Sequence, residues 1–261
     1  MTAPSPGFAY AQARLQSRFG DRVEPNVWLK LYNIYELSSY LQVAQQTPLR
    51  QWVLGISASH SSNDIELGLR QKYRQHVDEV ACWLPAAWIK PLQWIKRLPD
   101  LPALQYLATG GKPFGWMNAD SSIRDFTVDD TVLRIQAMLD AGCAQLIKAW
   151  QKGDPMLAGW LKQWKHMRPQ ANTFDQGLLS LQKLLLELSA QQLRQPGVSL
   201  PVDYEALADR LRIMFRRYTF QPAAACAYLA IVALDIHRIR ADLLQRVFFL
   251  ESEDLEEGVP V

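Results

Sequence analysis

The chain has 261 residues, of which 49% are hydrophobic and 21% are charged, and its formal net charge is +2. That length is enough to bury a substantial core, as one large domain or two smaller ones. The mild charge and a pI of 8.4 argue against a nucleic-acid-binding protein, since such proteins usually carry a concentrated basic patch and a pI above about 9.

Helical periodicity predominates along the chain and strand signals are nearly absent, so we predict an all-α fold of about ten helices. The first predicted helices cover residues 9–18, 27–32, 34–46 and 50–55. A long helix is predicted from Ser62, with an N-cap candidate within residues 62–64. Pro85 interrupts this helix, and helical periodicity resumes over residues 88–97.

The middle of the chain contains the clearest loop signal. Asp100 is a candidate N-cap for a helix over residues 101–108, which the two glycines at 110 and 111 would end. Residues 112–122 (KPFGWMNADSS) then lack helical periodicity. We predict that this segment connects an N-terminal helical lobe region, residues 1–111, to a C-terminal one, residues 123–261.

The second half is also predicted to be helical. A helix begins at Thr127 or Asp129 and runs to residue 151, and further helices cover residues 155–167, 178–193 and 203–218. Residues 168–174 are predicted to form a connector. Pro196-Gly197 is predicted to end the helix over residues 178–193. The last helix follows Pro222. The acidic tail from residue 251 is expected to form a short helix or a solvated end.

The C-terminal helix carries two stripes of side chains. Asp235, Arg238, Asp242 and Arg246 are three or four residues apart and form a stripe of alternating charge. The apolar stripe consists of Leu229, Val232, Ile236, Ile239, Leu243 and Val247. The first half of this helix is apolar on almost every side, so neighbouring helices should enclose it. The charged stripe fits a solvated ladder and a buried network about equally well.

Cysteine usage and hydropathy bear on the cellular compartment. Cys82, Cys143 and Cys226 form no CxxC motif, and the N-terminal residues lack the apolar segment of a signal peptide. We expect three reduced, buried cysteines in a cytoplasmic protein. The longest uncharged run, residues 223–234, is much shorter than the roughly 20 residues that span a bilayer. We therefore expect no transmembrane segment.

The sequence contains no recognisable motif for catalysis, cofactor binding or metal binding. The GGKP stretch at residues 110–113 lacks the upstream glycine and the hydroxyl of a phosphate-binding loop. His76 lies near Asp78 and Glu79 in the sequence. We interpret this group as the solvent-exposed face of a helix rather than as a proton-transfer cluster. We interpret His237 as a member of a polar network rather than as a titrating contact at an interface. We expect no catalytic, cofactor-binding or metal-binding residues.

The sequence contains a weak internal repeat and several stretches that resemble a known family. DLPALQ at residues 100–105 is similar to DIHRIR at residues 235–240. Three other stretches belong to the same comparison: YAQAR at 10–14, YELSSYLQVAQQTPLRQWV at 35–53 and the last helix over 228–257. Together with the two repeats, they resemble the C (or d) subunit of V-type and A-type rotary ATPases, the AC39 family. The chain is shorter than typical members, and alanine and arginine replace the motif asparagine at 103 and 238. A divergent, shortened bacterial member fits best.

The resemblance implies a multi-helix funnel of similar lobes that has no active site and no cofactor. Such a subunit docks on the cytoplasmic face of the membrane proteolipid ring, peripheral to the inner membrane, and receives the central stalk. It couples the stalk to the ring for transport of H⁺ or Na⁺. Candidate partner contacts are Arg238, Arg240 and Arg246 toward acidic surfaces, and Trp88 and Trp94 toward apolar ones.

Two alternatives remain open at this point. The first is an all-α small-molecule enzyme, for which clustered acids such as DDxxD would be expected; Asp129-Asp130 is followed by Thr-Val-Leu instead. The second is a helical adaptor of another membrane complex. Ligand-induced stabilisation would point to the enzyme, and the identity of the partners would point to the adaptor.

Overall fold

The computed structural model describes residues 6–169, 175–194 and 204–257, and every regular element in this part of the chain is a helix. The α-helices are α1 (Pro6–Gly20), α2 (Pro25–Tyr32), α3 (Leu37–Ala44), α4 (Arg50–Val53), α5 (Ser62–Ala81), α6 (Ala86–Gln93), α7 (Leu101–Ala108), α8 (Gly115–Ala119), α9 (Thr131–Asp140), α10 (Ala144–Lys152), α11 (Met156–Met167), α12 (Asp175–Arg194), α13 (Tyr204–Arg217) and α14 (Pro222–Glu257). Two 3-10 segments, Trp94–Asp100 and Arg124–Phe126, lie before α7 and before α9. The prediction of an all-α fold is confirmed.

Helix starts follow local capping chemistry. The Ser61 hydroxyl accepts from the Asp64 backbone N–H at 3.3 Å, and the Asp64 carboxylate accepts from the Ser61 N–H at 3.1 Å. This reciprocal pair satisfies two N–H groups that the first turn of α5 leaves without helical partners. The predicted start of α5 at Ser62 is confirmed, but its cap is Ser61, one residue before the predicted cap candidates.

The helix predicted from Thr127 or Asp129 to residue 151 is two helices, α9 and α10. Asp130 caps α9, and the chain turns at Gly142, whose φ is +71°. A residue in this left-handed conformation cannot continue a right-handed helix, and glycine adopts it at little cost. The helical periodicity on both sides of Gly142 concealed the break.

The segment predicted as a connecting loop contains α8 and packs on α5. Met117 is buried, and the Trp116 N–H donates to the Asn63 side-chain oxygen at 3.0 Å. One cluster of buried apolar residues extends from Phe8 to Val247 and includes residues on both sides of this segment. The predicted lobe boundary at 112–122 stays a prediction.

The C-terminal helix α14 lies at the centre of this core. Residues 223–229 are all buried, and α14 packs against α1, α5, α12 and α13. The expected enclosure of its first half is confirmed. Among the described residues, the stretch Pro222–Phe248 alone is long and apolar enough to cross a membrane, and 67% of its most apolar window is buried inside the fold. A buried core helix satisfies the same criteria of length and composition.

Three other sequence predictions need comment. Cys143 and Cys226 are buried, but Cys82 is exposed; it lies at the C-terminal end of α5, between the buried residues Ala81 and Trp83. The predicted helix end at Pro196-Gly197 lies outside the described residues. The acidic tail continues α14 as far as Glu257 and does not form a separate short helix.

Candidate functional site

A buried cluster of ion pairs connects α5 to the segments that precede α7 and follow α8. Asp100 is fully buried, and its Oδ1 accepts from Arg70 Nη1 at 2.8 Å and from Arg74 Nη2 at 3.1 Å. Asp120, also buried, accepts two hydrogen bonds from Arg74, at 2.9 and 2.6 Å. Charge-assisted bonds of this kind are about twice as strong as neutral ones. Arg74 therefore joins two carboxylates from different parts of the chain.

Helical spacing on α5 places this cluster. Glu66, Arg70 and Arg74 are four residues apart and lie on one face of the helix. Arg70 Nε donates to Glu66 at 2.7 Å, and Arg240 of α14 binds the other oxygen of the same buried carboxylate. The three charged residues of α5 therefore link Asp100 and Asp120 to the C-terminal helix.

Asp100 does not act as the helix cap that the sequence predicted. It occupies the position before α7, but its carboxylate makes no capping hydrogen bond and binds the α5 arginines instead. The Arg70 guanidinium also donates to the Pro99 carbonyl at 3.0 Å. The Asp100 Oδ2 atom has no hydrogen-bond partner in the described part of the chain, and Arg97 lies 3.8 Å from it.

The arginines keep Asp120 ionised in spite of its burial. Burial alone would raise the pKa of this carboxyl group. Hydrogen bonds from Arg74 and Ser122, together with the Arg74 charge, outweigh burial and lower the pKa of Asp120 below its ordinary value. A carboxylate that is stabilised in this way is a poor proton acceptor. The cluster is suited to holding helices together rather than to acid–base chemistry.

The charged stripe of α14 forms contacts with other helices instead of a ladder along its own surface. Asp235 accepts from Arg22 at 2.8 and 2.9 Å, and Asp242 accepts from the Tyr40 hydroxyl at 3.2 Å. Burial raises the pKa of both carboxyl groups, although nearby arginines oppose the shift. Of the two interpretations, the structure agrees with the buried network.

Arg246 completes this network from inside the protein. It is buried, and its guanidinium donates to the backbone carbonyls of Ile34 at 2.8 Å and Leu31 at 3.0 Å. These carbonyls lie at the end of α2 and in the turn before α3. The guanidinium also lies over the Tyr40 ring, 4.3 Å from its centroid. Arg246 thus fixes the α2–α3 turn on α14.

The five residues predicted to contact partners do not lie on one surface. Trp88, Trp94 and Arg246 are buried among residues of this chain. Trp94 Nε1 donates to the Trp160 carbonyl, and Trp160 Nε1 donates to that of Trp94, both at 3.2 Å. These three side chains contribute to packing within the chain and present almost no surface to another molecule.

The two remaining predicted contact residues are partly exposed. Arg238 lies over the Trp28 ring, 4.4 Å from its centroid, and 3.4 Å from Glu205 of α13. Arg240 pairs with Glu66 while 39% of its side chain stays accessible. Arg238 and Arg240 are the predicted residues that a partner could reach on the described surface.

Comparisons with protein-family models, with curated proteins and with solved structures give no match. A function must therefore be argued from the residues of this chain. The AC39 resemblance rests on the short sequence stretches that carry it.

His76 faces the core, so the preferred interpretation as part of a wet helix face was wrong. Its Nε2 lies 3.0 Å from the Tyr228 hydroxyl, its ring meets Trp52 edge-on, and Glu79 lies 3.6 Å from Nδ1. Burial lowers the pKa of His76 to about 4, although the Glu79 charge acts in the opposite direction. Tyr73 and Val80 of α5 are also buried on this side, which explains the inward position. The neutral imidazole is thus a hydrogen-bonding part of the core.

His237 of α14 has an exposed side chain, but partial desolvation by its neighbours together with the Arg240 charge lowers its pKa. Its neutral form is therefore favoured at physiological pH. This environment is compatible with the preferred interpretation, a member of a polar network.

Sequence reasoning missed an apolar surface at the α2–α3 corner, which we define as Leu29, Tyr32 and Tyr35. All three side chains are exposed, and Tyr35 is 83% accessible. The three residues are spaced three apart in the sequence, which places Leu29 and Tyr32 on one face of α2. This spacing is the sequence feature that could have indicated the surface. Tyrosine is enriched among the residues that contribute most to protein–protein binding. Arg246 holds this corner from beneath through its two backbone carbonyls.

A narrow cleft lies beside the charged stripe of α14, bordered by Arg22, Trp28, Glu205, Asp235 and Arg238. Its volume is about 30 Å³, enough for one or two water molecules. Sites for small molecules usually measure about 300–1,000 Å³. The cleft therefore fits bound water better than a substrate.

Proposed function

We propose that this chain is a non-catalytic central-rotor subunit of a V-type rotary ATPase, which couples the central stalk to the membrane proteolipid ring for transport of H⁺ or Na⁺. Other chains hydrolyse ATP. In this proposal the chain is a funnel of similar helical lobes, docks on the cytoplasmic face of the ring and stays peripheral to the inner membrane. The AC39 resemblance and the all-α fold support the proposal.

The observation that carries the proposal is the way α14 is tied to the other helices. Its residues bind Arg22 after α1, Tyr40 of α3, Glu66 of α5 and Glu205 of α13. A subunit that transmits torque must resist twisting between its two partners. Directional contacts from one long helix to four separate parts of the fold provide such resistance.

Apolar packing alone would serve this purpose less well. Buried ion pairs contribute little net stability, because desolvation offsets most of their attraction. They do fix the register and orientation of the helices that they join. The pair between Arg22 and Asp235 and the cluster around Asp100 therefore suit a body that must keep its shape under load.

Two exposed features are candidate contact surfaces in this proposal. Arg238 and Arg240 would meet acidic side chains of a partner. The α2–α3 corner would meet an apolar surface, since tyrosines bury a large area at a low cost in side-chain entropy. Both features lie next to α14, so a force applied to either would reach the central helix directly.

A pull-down from gently solubilised native membranes tests the proposal. Tagged full-length protein should recover a proteolipid together with the nucleotide-binding A and B subunits of a rotary ATPase, identified by mass spectrometry. The double variant Y32S/Y35S should recover less of these partners. A matched control, L179S, changes an exposed leucine of α12 and should recover the same amount as the wild type. The absence of all rotary-ATPase subunits from the wild-type sample contradicts the proposal.

A helical adaptor of another membrane complex is the second candidate. The exposed α2–α3 corner favours it as much as it favours a rotor subunit, because an apolar contact surface does not identify its partner. The same pull-down separates the two candidates. Consistent recovery of a different membrane complex, reduced by Y32S/Y35S, would establish the adaptor.

A further inference from the structure

The short helix α9 exposes an apolar face that the fold does not use. Val132, Leu133 and Leu139 are 75%, 59% and 48% accessible. Val132 and Leu139 are seven residues apart and so lie on the same side, two turns from each other. Met138 is the one fully buried residue of α9. We call the exposed group of Val132, Leu133 and Leu139 the α9 face.

Local interactions hold α9 without help from this face. The Asp130 carboxylate accepts from the backbone N–H groups of Val132 at 2.7 Å and Leu133 at 3.1 Å. Arg134 folds back so that its Nε donates to the Val128 carbonyl at 2.8 Å, and its guanidinium lies 5.3 Å from the Trp150 ring centroid. A helix of ten residues is marginal in water on its own, so these contacts and Met138 position it.

Acidic residues predominate in the sequence of α9 and its flanking segments, whereas the exposed Lys148 and Lys152 lie on the neighbouring helix α10. Acidic residues outnumber basic ones two to one over residues 123–140; the acids are Asp125, Asp129, Asp130 and Asp140, and the bases are Arg124 and Arg134. The Arg134 guanidinium is engaged with backbone carbonyls, and Arg124 lies 3.5 Å from Asp125. Asp129 and Asp140 lie at the two ends of α9, and neither has an arginine or lysine at ion-pair distance among the described residues; Asp140 accepts a hydrogen bond from Gln136 at 2.9 Å.

We infer that the α9 face binds an amphipathic helix of a partner protein, with leucine-like side chains on one side and lysine or arginine flanking them. The apolar residues would cover Val132, Leu133 and Leu139, and the basic residues would meet Asp129 and Asp140. Complementary charge of this kind steers association and selects partners.

Charge also argues against other occupants of the α9 face. The acidic end of this chain, with five carboxylates in residues 251–257, would be repelled, and so would an anionic membrane surface. This inference does not depend on the proposed rotor function.

Binding of synthetic peptides to the full-length protein tests the inference. The probe is an 18-residue helix-forming peptide with leucines at positions i, i+4 and i+7 and with flanking lysines; the comparison peptide has glutamates in place of the lysines. The lysine peptide should bind at least about tenfold more tightly, and added salt should weaken its binding. Equal affinity for the two peptides, or no binding of either at about 1 mM, overturns the inference.

Surface variants locate the binding. V132S/L139S should abolish binding of the lysine peptide, and D129N/D140N should reduce the preference for lysine over glutamate. L179S, which alters an exposed leucine of α12, should bind as the wild type does. Circular dichroism checks that each variant is folded. Binding that survives V132S/L139S would place the peptide elsewhere and overturn the inference. Self-association of the wild type that V132S/L139S abolishes would also overturn it, because a second copy of the chain would then occupy the α9 face.

Discussion

Buried carboxylates are rare in proteins unless cations accompany them. Asp100 and Asp120 follow this rule, since both bind Arg74 and Asp100 also binds Arg70. The sequence placed Asp100 at the start of a helix, which is correct, but assigned its carboxylate to the wrong partner. Capping residues are recognised from local sequence, whereas the partner of a buried carboxylate comes from a distant helix.

Asp100→Asn is expected to destabilise the protein strongly. The substitution keeps the shape of the side chain but removes its charge, which leaves two partly buried arginines with one carboxylate fewer. Breaking a buried pair in this way costs about 3–5 kcal/mol. The measurement is the free energy of unfolding in urea. Asp125→Asn is the matched control, because its pair with Arg124 is exposed; a loss there as large as at Asp100 would contradict the explanation by burial.

The pKa of His76 predicts a dependence of stability on pH. The unfolded chain binds a proton near pH 6.5 and the folded protein only near pH 4. Between these values the unfolded state holds more protons, so acidification from pH 7 to pH 4 lowers the free energy of unfolding, by at most about 3 kcal/mol from this group. His76→Gln should remove that part of the pH dependence. His166→Gln, at an exposed position, should keep it, and identical pH profiles for wild type and His76→Gln would refute the assignment.

At the scale of elements, most helices form where the sequence predicts them. The residue ranges of α2, α7, α11 and α13 agree with the predictions within two residues. Errors occur where one residue decides a break, as at Gly142, or where a short helix has little periodicity, as in α8. Helices of five residues cannot show the 3.6-residue repeat clearly, so the segment at 112–122 resembled a loop.

Two glycines of contrasting conformation give a prediction for the helices. Gly142→Ala should destabilise the protein by about 1 kcal/mol, since φ is +71° and a Cβ is strained in that region. Gly68→Ala should stabilise it by about 0.5–1 kcal/mol, because Gly68 lies within α5 with open space around a new Cβ. Chemical denaturation measures both changes. Equal effects of the two substitutions would show that backbone conformation does not control the turn.

At the scale of the whole molecule, α14 and its surroundings form one apolar core. This core includes residues from Phe8 to Val247, on both sides of the predicted lobe boundary. A shared core makes elements unfold together, since loss of one exposes the apolar surface of the others. The α14 contacts to Arg22, Tyr40 and Glu66 extend this coupling to the polar groups.

We therefore expect a single cooperative unfolding transition. Tryptophan fluorescence, which reports on residues 28–164, should coincide with circular dichroism, which reports on all helices. Leu243→Ala, at a fully buried position of α14, should lower stability by about 2–5 kcal/mol and shift both signals equally. Leu179→Ala, at an exposed position, should change stability by less than about 0.5 kcal/mol. Two separate transitions would instead favour independently folding lobes.

The sequence by itself determined the all-α class, most helix positions and the central place of the C-terminal helix, because these depend on periodicity and on proline, glycine and capping residues nearby in the chain. The tertiary structure decided which charged residues meet. Arg22 and Asp235 are 213 positions apart, and no local pattern specifies such a pair. It also decided that Trp88, Trp94 and Arg246 lie inside while Tyr32, Tyr35 and Val132 lie outside. Burial depends on how whole helices pack, and a single sequence carries that information only indirectly.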